Sequence, residues 1–377
     1  MLRYLSRTTP RGKRVLVRVD FNVPISGRRV LDTFDIVRAL PTIRALLRRG
    51  NSIVLLSHHS DERQTLAPLA PHLTRMLGRR VTFLRDLLGL SARRAVRSAR
   101  PGTVFLGENV RFWRGERRNS TAFARALAGL GEVFVNDAFG ELHRPYASMV
   151  GIPRHLPSFA GPLIASELKM LDRFIRRPAQ PLVGIFGGAK METKLAILRR
   201  FARRADRVLL GGGVANTLLR ARGFAIGRSL TAHMSAAMRR LARSKKIVLP
   251  IDAIVSSSGG RSGKSVLLGD IGPQDRVYDI GPKTRLLFRR VLGSARTVVW
   301  NGPLGLVEKR CYAGGTLAVA ETLARHRGLV LVGGGDTVAF LDRVRLLKRF
   351  KHVSTGGGAM LAYLAGERLP GFEALKR

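Results

Sequence analysis

Two kinds of residue cluster recur along this 377-residue chain, each directly after a short apolar run. In the first half the runs end on Asp20-Phe21-Asn22, Ser57-His58-His59, Glu108-Asn109-Val110-Arg111 and Asn136-Asp137-Ala138-Phe139-Gly140. In the second half they end on Gly187-Gly188-Ala189-Lys190, Gly211-Gly212-Gly213, Asn301-Gly302-Pro303 and Gly333-Gly334-Gly335-Asp336. The first set offers ionic and hydrogen-bonding side chains; the second offers bare backbone and one lysine. Open parallel sheets bind ligands beyond the carboxyl ends of their strands. The contrast therefore points to one domain for a small polar anion and another for a nucleotide. Lys190 and Lys194 stand four residues apart, a spacing that sets two cations side by side on a helix and costs stability. A bound polyphosphate would offset that cost, and Gly187-Gly188 leave backbone N–H groups open at the predicted helix start. By its position Asp336 reads as a cap of the helix that follows.

Other reactive residues point to less. The single cysteine, Cys311, excludes an internal disulfide and fits a reducing cytosol. The eight histidines show no metal-ligand spacing, so a zinc site is not expected. Gly259-Gly260-Arg261-Ser262-Gly263-Lys264-Ser265 is close to a phosphate-binding Walker loop, but the required first glycine falls at Ser258. It reads as part of a small, polar, exposed loop over Ser256–Lys264.

The elements that must carry these clusters alternate. Strands are predicted over Arg14–Val19, Ser52–Leu56, Thr103–Leu106 and Glu132–Val135, then over Pro181–Phe186, Arg207–Leu210, Lys246–Pro250, Thr297–Trp300 and Gly328–Val332. Amphipathic helices lie between them, among them Thr121–Leu130, Lys194–Ala205 and Gly315–His326. Alternation of this kind specifies an α/β fold with parallel sheets. The length exceeds one ordinary core, and 45% hydrophobic residues supply enough apolar mass for two. The predicted boundaries are 1–162 for an N-terminal domain, 163–177 for a connecting helix around Ser166–Leu171, and 178–357 for a C-terminal domain. No run approaches the roughly 18 apolar residues a membrane helix needs. The start, Met1 to Pro10, has no apolar segment of the kind a secretory leader carries. A cytoplasmic location is the expectation. The formal charge of +42, from 67 Lys+Arg against 25 Asp+Glu, is spread over nearly every helical segment. It predicts nonspecific, salt-sensitive RNA association rather than a specific nucleic-acid site.

Taken in order, the motifs resemble the phosphoglycerate kinase family over nearly the whole chain. They are Arg18-Val-Asp-Phe-Asn-Val-Pro24, Glu108-Asn-Val-Arg-Phe112, Asn136-Asp-Ala-Phe-Gly140 with His143-Arg144, and Gly187-Gly-Ala-Lys190 with Lys194. Asp279-Ile-Gly-Pro-Lys-Thr284, Val299-Trp-Asn-Gly-Pro303 with Glu308, Gly333-Gly-Gly-Asp-Thr337, Ser354-Thr-Gly-Gly-Gly358 and Leu369-Pro370-Gly371 follow. The resemblance implies two Rossmann-like domains joined by a hinge and an interdomain helix. The chain's end, about 358–377, would return to the N-terminal domain. It implies a monomer that reversibly transfers a phosphoryl group between ATP and the carboxylate of 3-phosphoglycerate, giving 1,3-bisphosphoglycerate and ADP, with Mg²⁺. That acceptor is ionised at neutral pH, its pKa being about 3.5, so no general base is required. The site must instead cancel negative charge, align the reactants and exclude water.

The same resemblance assigns roles by position. Asp20, Phe21 and Asn22 meet the glycerate end of the substrate, and His58, Arg111 and Arg144 hold its anionic groups. Lys190 meets the transferring phosphoryl group, with Gly357 and Gly358 presenting N–H groups to it. Gly188, Ala189, Lys194, Gly212, Gly213, Asn301, Pro303, Glu308, Gly334, Gly335, Asp336 and Thr337 surround the nucleotide, and Asp336 is the residue associated with Mg²⁺.

The family pattern breaks at two places. Asp35 stands where the family has an important arginine, and Asp61 stands where another anion-binding arginine is usual. At about 5 Å and an effective dielectric of about 20, each unit charge acts on the substrate with about 3 kcal/mol. Two reversals are enough to abolish catalysis unless other cations compensate. Arg38, one turn beyond Asp35, and Arg63, two residues beyond Asp61, are expected to take over, with Arg28 and Arg29 nearby. The alternative is a nucleotide-binding homologue with impaired catalysis.

Overall fold

The computed structural model describes residues 3–5, 10–258 and 262–376, and every count or absence below refers to these residues. The chain divides into two compact units, Met1–Lys169 with Arg368–Arg377, and Met170–Glu367. The nine predicted strands all appear, with ends shifted by at most two residues. Their apolar, β-branched runs suit strands covered on both faces.

In the first unit six parallel strands lie in the spatial order Val81–Leu84, Val104–Gly107, Ser52–Leu56, Arg14–Arg18, Val133–Asn136 and Ser158–Ala160. Its core gathers Val15, Val17, Ile53, Leu55, Val104, Leu106 and Val135 from the sheet, with Ile36, Ile43 and Leu46 from the helix Phe34–Leu47. The chain leaves the central strand Arg14–Arg18 toward one side of the sheet and fills the other side later, through Val133–Asn136. The topological switch point thus lies between these two strands, where Arg18 pairs with Asn136. Loops diverge there and leave the crevice that open α/β sheets use for ligands.

The second unit repeats the plan with the order Ile247–Val248, Arg207–Leu210, Leu182–Phe186, Thr297–Asn301, Leu329–Gly333 and His352–Val353, again all parallel. Its switch point lies between Leu182–Phe186 and Thr297–Asn301. Trp300 is fully buried in the core beneath it, with Phe288, Leu292 and Val332.

Some elements went unforeseen. An antiparallel sheet of Lys264–Leu267, Asp252–Ser256 and Arg276–Ile280 accompanies the second unit. Residues 259–261 of the Walker-like segment lie outside the described residues; Lys264 opens a strand and pairs with Asp275 at 3.6 Å. The connecting helix is longer than its Ser166–Leu171 core and runs Pro162–Ile175, with the unit boundary inside it. The helix Gly357–Ala365 packs on Leu195–Arg204 of the second unit, and Arg200 donates to the Ala365 carbonyl. The chain therefore rejoins the first unit from Arg368, not from about 358, where Gly371 N–H bonds the Leu142 carbonyl.

Candidate functional site

In the first unit the loops after four strands converge. Arg18, the last residue of its strand, is fully buried; it donates through Nε to Ser148 Oγ (3.0 Å), while an Nη2 hydrogen reaches His58 Nδ1 (3.2 Å). Ser148 in turn donates from Oγ and N–H to the buried Glu116 carboxylate (2.6 and 2.9 Å). Because Arg18 donates to Nδ1, the proton of His58 sits on Nε2. Burial and the surrounding Arg18, Arg111 and Arg144 hold the pKa of His58 well below its ordinary range, so the ring is neutral at pH 7. Its Nε2 is buried without a hydrogen-bond partner, as is Nε of Arg111.

Glu108 and Asn109 shape this cluster. The Glu108 carboxylate accepts from Thr65 Oγ1 and the N–H groups of Leu66 and Asn109. Asn109 Oδ1 accepts from His59 N–H and Arg111 N–H, both at 3.1 Å. Two loops distant in sequence are thereby held at a common register. Glu141 then binds both arginines: Arg111 Nη2 lies 2.8 Å from Oε2, and Arg144 Nε 3.2 Å from either oxygen. Both guanidinium groups also lie over the Tyr146 ring, at 5.7 and 5.6 Å from its centroid. Asp20 Oδ1 stands 3.9 Å from His58 Nδ1, and burial followed by the Glu141 charge pushes its carboxyl up to about 6.

The structure thus brings Asp20, His58, Arg111 and Arg144 together. Asn22 stands beside them, its Oδ1 accepting from Ser60 N–H at 2.8 Å. Phe21 differs: its side chain is fully buried in the core, so it can reach a ligand only through its backbone. Arg63 is exposed and shares with Arg111, Phe112, Trp113, Arg114 and Arg117 the border of a cavity of about 660 Å³. Asp61 accepts from Arg63 N–H through Oδ1, an Asx turn that gives the carboxylate a local structural use. Asp35 faces Asp20, Asp32 and Glu167. Burial first, then those three charges, push its carboxyl up to about 8 against the exposed Arg38. The expected repulsion at Asp35 is therefore corrected: at neutral pH the group is mostly protonated.

In the second unit glycine loops meet at the switch point. The N–H groups of Gly187 and Gly188, expected to stand open, are committed to the neighbouring loop instead. Gly187 N–H bonds the Asn301 carbonyl (3.0 Å) and Gly188 N–H the Pro303 carbonyl (2.7 Å), while Gly212 N–H bonds the Leu304 carbonyl (3.0 Å). Gly212 has φ +59°, and a Cβ there would stand 2.9 Å from the Gly188 oxygen, so no larger residue fits. A Cβ on Gly213 would meet the Ala189 carbonyl oxygen at 2.7 Å, and one on Gly357 would meet the Gly334 Cα at 3.2 Å. The helices Gly212–Ala221, Gly335–Arg343 and Gly357–Ala365 all begin at this level, with Gly358 exposed in the first turn of the last. In the first of these helices Gly212 N–H and Val214 N–H are taken by the Leu304 and Gly188 carbonyls. The first N–H groups of the helices opening at Gly335 and Gly357 have no partner within the helix and suit phosphate oxygens.

Lys194 is buried to 9% exposure and lies within electrostatic reach of Asp336 and Lys190. Burial, and then Lys190, lower its pKa, while Asp336 raises it. The predicted pairing of both lysines on one helix face is corrected: Lys190 precedes the 3-10 turn Glu192–Lys194, and the α-helix begins at Leu195. The positive φ of Gly188 (+84°) turns the chain away from helical geometry there. Asp336 is exposed at the second position of its helix, whose cap is Gly334, so it is not the N-cap. Thr337 is fully buried, and its Oγ1 accepts from Gly302 N–H (2.9 Å), which commits it to the loop. Asn301 is likewise buried, donating to the Gly333 carbonyl (3.0 Å). Glu308 is exposed beyond Pro303. Among the described residues no three His, Cys, Asp or Glu cluster as a metal cage, and no helix is long and apolar enough to cross a membrane.

Sequence reasoning missed Glu141, Tyr146 and the Ser148–Glu116 support of Arg18. Glu141 lies two residues from His143, inside a motif already singled out, but a carboxylate between two arginines is visible only once the loops meet.

Comparison with known proteins gives one family. A family profile described as phosphoglycerate kinase matches residues 5–367. The phosphoglycerate kinase of Pelotomaculum thermopropionicum is 42% identical over 97% of this chain and 96% of its own length. That of Thermomicrobium roseum is 44% identical over 96% of each. Among solved structures, phosphoglycerate kinase from Coxiella burnetii superposes with a TM-score of 0.82 at 35% identity, covering 100% of this chain and 99% of that one. The enzyme from Pyrococcus horikoshii superposes at 0.88 with 30% identity, covering 100% and 98%.

Proposed function

The chain belongs to the phosphoglycerate kinase family, and on that premise we propose that its first unit holds phosphoglycerate and its second holds MgATP or MgADP. The enzyme is a kinase of glycolysis, transferring a phosphoryl group between ATP and 3-phosphoglycerate. The observation that supports the placement best is the cluster of His58, Arg111 and Arg144, with two buried donors lacking partners. Such donors fit a multiply charged anion better than any neutral ligand.

In this reading Arg111 and Arg144 bind the anionic groups, His58 donates from Nε2–H, and Asp20 accepts from the substrate hydroxyl. Asn22 and the Phe21 backbone border the glycerate. Arg63 and Arg38 supply the cationic field that the substitutions at Asp61 and Asp35 would otherwise remove. In the second unit Lys190 neutralises charge on the transferring group, and Gly357 and Gly358 offer N–H donors to it. Lys194, with Gly188, Ala189, Gly334 and Gly335, meets the nucleotide phosphates. Gly212, Gly213, Asn301, Pro303 and Glu308 bound the base and ribose. Thr337 acts through the loop it ties to Gly302.

Mg²⁺ fits Asp336, an exposed carboxylate near Lys194, because a nucleotide-borne Mg²⁺ takes most of its oxygens from phosphate and water. When bound it would neutralise phosphate charge. The acceptor carboxylate needs no deprotonation, so the residues' task is to bind, align and exclude water. We further propose hinge closure about the connecting helix, a monomeric and cytoplasmic enzyme, and RNA association governed by net charge alone. A coupled assay of ATP-dependent 1,3-bisphosphoglycerate formation tests the reading. Turnover is expected with 3-phosphoglycerate, and MgADP binding without turnover would favour a nucleotide-binding homologue instead.

A further inference from the structure

The arginines assigned to the substrate already hold a carboxylate of this chain. Glu141 Oε2 lies 2.8 Å from Arg111 Nη2, Arg144 Nε lies 3.2 Å from either Glu141 oxygen, and Oε1 stands 3.5 Å from His58 Nε2. Glu141 is itself buried, at 6% exposure. It meets the charge of the arginines but not the hydrogen-bonding demand of the cluster, because buried Arg111 Nε and His58 Nε2 make no hydrogen bond. Unpaired buried donors are costly. A phosphate, with more oxygens in a tetrahedral array, can reach donors that one planar carboxylate leaves over. Two anions cannot share these two guanidinium groups without mutual repulsion at short range.

We propose that Glu141 is a resident competitor for the substrate's anionic group: phosphoglycerate must displace it from Arg111 and Arg144, and Glu141 thereby sets the affinity of the first unit. This rests on the assignment of those two arginines to phosphoglycerate. The backbone around Glu141 is held independently of its carboxylate. Glu141 N–H bonds the Ala138 carbonyl, and Ala138 N–H bonds Asn136 Oδ1. A rotamer change at Glu141 alone therefore releases both arginines. Its field also reaches Asp20, whose carboxyl it helps to push up, so the displaced charge is felt across the whole cluster. A group that merely orients the arginines would act with the opposite sign, since neutralising it would loosen them and weaken substrate binding.

Glu141→Gln keeps the shape and one acceptor oxygen while removing the charge. The KM for 3-phosphoglycerate is expected to fall about tenfold, with kcat and the KM for ATP within about twofold of the parent. Titration calorimetry of nucleotide-free protein with 3-phosphoglycerate should show the same tightening. An unchanged or raised KM and Kd in an active enzyme overturns the proposal. A parent protein without any phosphoglycerate-dependent turnover or binding overturns the assignment of the arginines instead. If Glu141→Gln does not fold, Glu141→Ala carries the same expectation and the same overturning result.

Discussion

Asp35 shows how a folded environment changes what a residue means. As a letter in the sequence it is a negative charge in place of a family arginine, facing an anionic substrate. In the structure, burial and the neighbouring Asp20, Asp32 and Glu167 push its carboxyl up to about 8, with Arg38 opposing. Below that pH the group carries a proton and repels little; above it the repulsion returns. The KM for 3-phosphoglycerate should therefore rise between pH 7 and 9 in the parent enzyme and stay flatter in Asp35→Asn. Parallel profiles would contradict this. Folding follows the same protonation: the folded chain keeps a proton that the unfolded chain releases near pH 4. This group's contribution to stability is full below about pH 4 and is lost as pH rises through about 8. Thermal unfolding scans should show Asp35→Asn gaining on the parent as pH is raised. Arg38→Ala and Arg63→Ala are each expected to lower kcat/KM for 3-phosphoglycerate, read in the coupled assay. If both leave it unchanged, compensation by these residues is wrong.

At the scale of elements, Asp137 ties the strand-end motif to the connecting helix. Its Oδ1 accepts from Leu163 N–H (2.9 Å) and Ile164 N–H (3.1 Å) at the start of Pro162–Ile175, and Thr42 Oγ1 donates to Oδ2. Asp137→Ala strands two helix-start donors and a buried hydroxyl, at a cost of about 1–3 kcal/mol. A lowered denaturation midpoint, with the KM for ATP unchanged, is the expected result. An unchanged midpoint would mean the helix start is held by other contacts. The central strands were legible because they are unbroken apolar runs ending in glycine or polar clusters, and such runs specify parallel strands. The antiparallel sheet escaped because Asp252–Ser256 and Lys264–Leu267 carry mixed, short patterns on either side of a polar loop. His352–Val353 is only two residues long and offers no period to read. The site was legible as residue types, since Asp20, His58, Arg111, Arg144, Lys190 and Lys194 lie in strand-end motifs. Partnerships were not, because Arg18 with Ser148 and Glu108 with Leu66 join residues 130 and 42 positions apart. The missed turn at Lys190 has a local cause, a glycine in the left-handed region just before it.

For the molecule as a whole, a charge of +42 sets the field in which two anionic ligands are drawn in. In the first unit that field is tempered where it matters, since Glu141 stands between Arg111 and Arg144, and Asp20 lies within reach of Arg18 and Arg111. The surface outside is not so balanced, and RNA bound there should dissociate steeply as salt rises from 50 to 200 mM, without sequence preference. Binding that persists through this range would point to a dedicated RNA site. The central claim is a division of labour between two unlike units, and paired kinetics of Arg111→Ala and Lys194→Ala test it most directly. In the coupled assay, Arg111→Ala should raise the KM for 3-phosphoglycerate at least about tenfold with the KM for ATP nearly unchanged. Lys194→Ala should do the reverse. Equal effects on both substrates, or effects exchanged between the two variants, would contradict the account.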